Sequence, residues 1–144
     1  MNERWNLNTI YRGFDDPAFT EDFAALKNLV DEIAAFGPML PQLEPLEGLK
    51  KGIALQENFS YLMNKLALYC SLRQSADTRD SEAGSRMGQV MQLYSGVAAP
   101  FATFTDWASK LPDLMELVKA DEDLNIVLVL FTQSKERFEI LIYL

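Results

Sequence analysis

Residues 15–38, DDPAFTEDFAALKNLVDEIAAFGP, decide how the rest of the chain is read. Asp15-Asp16 offers a carboxylate N-cap, and Pro17 suits the first helical position, where a missing N–H costs nothing. Phe19, Phe23, Leu26, Val30 and Ile33 then recur at steps of four and three, one apolar stripe along a helix that Gly37-Pro38 is expected to end. Outward from it, residues 37–48 hold three prolines and two glycines and read as a connector. A second helix follows through Leu55, Phe59, Leu62, Leu66 and Tyr69 and fades into the polar stretch Arg73 to Ser81.

A third helix of about 30 residues is predicted from Ser81 to Lys110, longer than average. Its stripe is Met87, Met91, Tyr94, Ala98, Phe101, Phe104, Ala108 and Leu111. Pro100 lies inside this pattern and predicts a kink near Ser95 to Ala99, or a break into two helices. Leu111-Pro112-Asp113 reads as a turn before a short helix through Leu114, Leu117 and Val118. Asp121-Glu122-Asp123 then places negative charge at the start of a last helix. There Leu124, Leu128, Phe131, Phe138 and Ile142 keep helical spacing while Ile126, Val127, Val129 and Leu130 fill the other faces. The β-branched run in 125–131 also suits a strand. The expected fold is a single all-α domain over 1–144, an antiparallel helical bundle or helical-hairpin stack with a kinked long third helix.

Composition narrows function by exclusion. The chain contains no histidine, the usual general base near neutral pH and the commonest zinc ligand, so most hydrolytic sites are ruled out for this chain alone. Thirteen basic against 21 acidic residues give a net charge of -8, which repels nucleic acid and anionic lipid. The longest wholly apolar run, Ile126 to Phe131, falls far short of the roughly 20 residues of a membrane-spanning helix. One cysteine, Cys70, forms no intrachain disulfide, and the start lacks the apolar core of a secretory signal, so a cytoplasmic location is expected.

Several groups of residues could carry chemistry, and each has a plainer reading that we adopt. Asp77-Thr78-Arg79-Asp80-Ser81-Glu82 offers the oxygens a hard cation needs, but equally a turn and helix start, with Asp77 or Thr78 as cap and Asp80 and Glu82 in the first turn. Cys70 lies beside Tyr69 and Leu66 and reads as a small core residue. Tyr94, Phe101, Phe104 and Trp107 could line a ligand face, yet aromatic residues at helical spacing usually build a core. Glu44, Glu47 and Glu57 read as solvated. No residue is assigned a catalytic, cofactor-binding or metal-binding role.

Three separated stretches carry a resemblance. Trp5-Asn6-Leu7-Asn8-Thr9-Ile10-Tyr11 with Phe14-Asp15-Asp16-Pro17-Ala18-Phe19 resembles the opening of oligoendopeptidase F-type zinc metallopeptidases. Leu68-Tyr69-Cys70-Ser71-Leu72 followed by Ala76-Asp77-Thr78-Arg79-Asp80-Ser81-Glu82-Ala83 is similar to that family's leucine-tyrosine helix end and its Asp-Thr-x-Asp-x-x-Ala turn. Phe101 to Leu111 with Pro112 is similar to its helix ending in a leucine-proline step. The resemblance implies the amino-terminal helical lobe alone: a wall of a peptide-binding cleft, inactive without a zinc domain whose His-Glu-x-x-His helix would lie beyond residue 144.

The apolar run Asn125 to Phe131 departs from the family's more polar helix. It opens an alternative, a free-standing protein-interaction module that self-associates through Leu124–Phe131 and Ile140–Leu144. The expected partners are therefore a zinc catalytic domain, another copy of the chain, or a peptide, with no nucleic acid and no membrane. A His-Glu-x-x-His segment encoded downstream would favour the first class.

Overall fold

The computed structural model of the chain describes residues 6–125. Among them every regular element is helical: a 3-10 turn at Leu7–Thr9, α1 at Pro17–Met39, a 3-10 turn at Leu40–Gln42, α2 at Pro45–Ala76, α3 at Ser81–Ser109 and α4 at Leu114–Ala120. Residues 122–125 begin a further helical stretch. The fold is an all-α helical bundle. The expectations for 126–131 and 140–144 fall outside the described residues.

Each helix start matches its local chemistry. Asp16 caps α1, its Oδ1 accepting from the Ala18 N–H at 3.0 Å. Asp80 caps α3, accepting from the Ala83 N–H at 2.9 Å; the cap is therefore neither Asp77 nor Thr78. Asp77 instead accepts from the Arg79 N–H at 3.0 Å and shapes the turn before it. Asp121 accepts from the N–H groups of Asp123 and Leu124, both at 3.1 Å, and opens the stretch at 122–125. Asp113, before α4, takes a left-handed conformation (φ 60°), which aspartate tolerates better than most residues.

Three boundaries differ from the sequence expectations, each for a physical reason. Gly37-Pro38 does not end α1, which runs on to Met39; proline in the last turn forfeits a single hydrogen bond, and its fixed φ is helical. The connector is shorter than 37–48, because Pro45 occupies the first position of α2 and the Gly48 N–H closes on the Glu44 carbonyl at 2.9 Å. Pro100 does not break α3 in two. The buried Val97 and Phe104 on either side of it hold the helix by packing, which outweighs the one hydrogen bond that the proline forfeits.

The core repeats every seven residues. Phe19, Leu26, Ile33 and Leu40 are buried along α1 and the turn after it; Phe59 and Leu66 along α2; Ala83, Val90, Val97 and Phe104 along α3. This is the period of helices that pack side by side with a slight left-handed inclination. The stripes expected in α1 and α2 coincide with it. In α3 the expected stripe is out of phase over its first half: Met91 and Tyr94 are exposed, while Val90 and Val97 are fully buried. Val90 lies one position from the expected Met91 and Val97 one position from the expected Ala98, so the buried stripe is shifted by one residue from the expected one.

The chain divides into two compact units. Among the described residues the first comprises 6–32 and 57–97, and the second 33–56 and 98–125. The first has a core of Tyr11, Phe14, Phe19, Leu26, Phe59, Leu66, Tyr69, Cys70, Ala83, Val90 and Val97. In the second, Ile33, Phe36, Leu40, Leu49, Leu55, Phe104 and Leu124 are buried. Leu124, expected to serve self-association, thus packs within its own unit. No described helix is long and apolar enough to cross a membrane.

Candidate functional site

In the first unit three segments converge on one carboxylate. The 3-10 turn Leu7–Thr9 is capped by Asn6, and the N–H groups of Ile10 and Tyr11 both close on the Leu7 carbonyl, which fixes the direction of Tyr11. Tyr11 Oη donates to Asp22 Oδ2 of α1 at 2.6 Å. Lys65 Nζ of α2 donates to the same oxygen at 2.6 Å and lies 4.9 Å from the centre of the Tyr11 ring. Burial opposes the charge on Asp22, but the hydrogen bonds from Lys65 and Tyr11 and the lysine charge together hold its pKa below the usual carboxylate range. Burial, and then donation to Asp22, push the Tyr11 phenol well above its ordinary pKa.

These shifts define what the cluster does. Near neutral pH Asp22 is ionised and engaged by two donors, while Tyr11 keeps its proton, so neither group is poised to exchange a proton with a substrate. The cluster anchors the segment before α1 to α1 and α2. Around it Tyr11, Phe14, Phe19 and Tyr69 meet edge to face at centroid distances of 5.1 to 5.3 Å. The Arg73 guanidinium covers the Phe14 ring at 4.9 Å while pairing with Asp80 at 2.8 Å, and Arg86 lies 5.9 Å from the Phe19 ring.

An open groove of about 410 Å³ runs beside this anchor, lined by Thr9, Ile10, Tyr61, Asn64, Lys65 and Leu68. Tyr61 and Leu68 lie seven residues apart, hence on one face of α2. They are 67% and 52% exposed, high for large apolar side chains. The side chains of Thr9, Tyr61 and Asn64 make no hydrogen bond within the described residues. Among the described residues of the lining Lys65 is the one that carries a charge.

The residues singled out in the sequence are not gathered here. Asp77, Asp80 and Glu82 build the turn and helix start, and among the described residues no three cysteine or acidic side chains are grouped to hold a metal ion. Cys70 is fully buried, and burial pushes its thiol up to about 11, too high for a thiolate nucleophile near neutral pH. Tyr94 stacks on Phe59 in the first unit, whereas Phe104 stacks on Trp107 in the second, so the aromatic series forms no single face. Glu44, Glu47 and Glu57 are exposed.

Sequence reasoning missed the Tyr11, Asp22 and Lys65 cluster and the groove beside it. A signal existed: Asp22 follows Phe19 by three residues and Lys65 precedes Tyr69 by four, so opposite charges border two apolar stripes. That they meet, and that Tyr11 completes them, depends on the path of residues 6–16. Compared with known proteins, the chain matches no family model, no curated protein and no solved structure.

Proposed function

We propose that the chain is a non-catalytic helical module, inactive alone, that offers one wall of a peptide-binding cleft, as the amino-terminal lobe does beside the zinc domain in the oligoendopeptidase F-type enzymes that three of its stretches resemble. The observation that supports this reading best is the groove: two exposed apolar side chains, Tyr61 and Leu68, share its lining with Ile10, beside polar side chains of Thr9 and Asn64 that make no hydrogen bond among the described residues. On this reading the chain alone is no enzyme. It lacks histidine, and the one polar cluster beside the groove is locked by its own hydrogen bonds.

The test is nuclear magnetic resonance titration of the full chain with short peptides bearing leucine or phenylalanine. Saturable shifts confined to residues 9, 10, 61, 64, 65 and 68 are expected, and Tyr61→Ser with Leu68→Ser should abolish them. Shifts that never saturate, or that spread without focus, refute the reading. The same sample should hydrolyse no peptide and retain no stoichiometric zinc after dialysis; one zinc per chain would overturn the non-catalytic role.

A second reading, self-association through Leu124–Phe131 and Ile140–Leu144, draws its support from the apolar run Ile126 to Phe131 in the sequence. Sedimentation separates the two. A monomer at high micromolar concentration rejects self-association, and an assembly dissociated by Val127→Asp with Leu130→Asp supports it.

A further inference from the structure

We draw no further inference here: the strongest candidate, the half-exposed apolar surface patch of Met91 and Tyr94 on α3, carries none, because nothing in the structure shows what covers it.

Discussion

The two units fix their aromatic side chains with a different balance of charge and volume. In the first, Tyr11, Phe14, Phe19 and Tyr69 are held edge to face, and the rim of the cluster is closed by Lys65, Arg73 and Arg86 lying over the rings. In the second, Phe104 stacks on Trp107 and meets Phe36 at a tilt, and the cluster presses on two helical glycines: Gly52 faces the Phe104 ring and Gly48 the Trp107 ring, closely enough that an added Cβ would overlap either one. Three cations lie over the rings of the first cluster and one, Lys51 at 5.9 Å from the Phe36 ring, over those of the second, where two glycines without side chains admit the rings. The first should therefore respond to pH and to removal of ionic partners, the second to volume.

The largest expected effect is in the second unit. Gly52→Ala gains helix propensity of about 1 kcal/mol, but its methyl group must displace the Phe104 ring, which is buried and hemmed in by two other rings. Overpacking of this kind costs about 1–3 kcal/mol and occasionally more, and a Cβ overlapping a hemmed-in ring lies at the upper end, so a net loss of about 2 kcal/mol or more is expected. Urea unfolding of Gly52→Ala with and without Phe104→Leu measures it; equal stability of Gly52→Ala and the parent would break the contrast between the units.

Asp22→Ala comes next, leaving Tyr11 Oη and Lys65 Nζ without their shared acceptor in a partly buried site. A loss of about 1–3 kcal/mol is expected. Tyr11→Phe, which keeps the ion pair, should lose about 0.5–1.5 kcal/mol. If Tyr11→Phe were the more damaging of the two, the cluster would be held by the ring and not by the charge.

Acidification sharpens the same comparison. In the first unit Asp16, Asp22 and Asp80 all sit below the ordinary carboxylate range: Asp16 chiefly through backbone N–H bonds, Asp80 chiefly through the Ala83 N–H and then Arg73, and Asp22 through Lys65 and Tyr11 against its own burial. In the second unit Asp121 alone among the described carboxylates does so, through the Leu124 N–H and Lys50. A depressed pKa stabilises fully above the unfolded value, about 3.9 for aspartate, and that stability is lost as the pH falls through the folded value. Stability should thus hold from pH 7 to about 5 and fall below about 4. Amide protection should be lost first in residues 6–32 and 57–97, which exchange measured over that range would show.

The smallest effect belongs to Lys50, which pairs with Asp121 at 3.0 Å and Asp123 at 3.4 Å on the surface of the second unit. Solvent screening leaves such pairs little net weight. Lys50→Ala should change the denaturation midpoint no more than the error of its measurement, and a clear loss would show that ionic closure matters in both units.

What the sequence determined by itself is helix identity and the chemistry of helix starts. Asp16 with Pro17 is a cap readable from neighbouring residues alone, because an N-cap bond spans only two or three positions, whereas the cap of α3 fell to Asp80 and not to Asp77 or Thr78. The stripes of α1 and α2 were legible for a related reason: side chains three and four apart share a face whatever the rest of the chain does. Tertiary structure decided the remainder. Whether Pro38 and Pro100 end a helix depends on packing on either side of them, and the phase of the α3 stripe depends on which of its faces the rest of the chain covers, which buried Val90 and Val97 in place of Met91 and Ala98. The groove has the same origin. Thr9 and Ile10 are more than 50 positions from Tyr61 and Leu68 in the sequence, and no local rule joins them. They become one surface because Tyr11, Asp22 and Lys65 find each other across three segments, where partial burial makes an ionised carboxylate hold both donors.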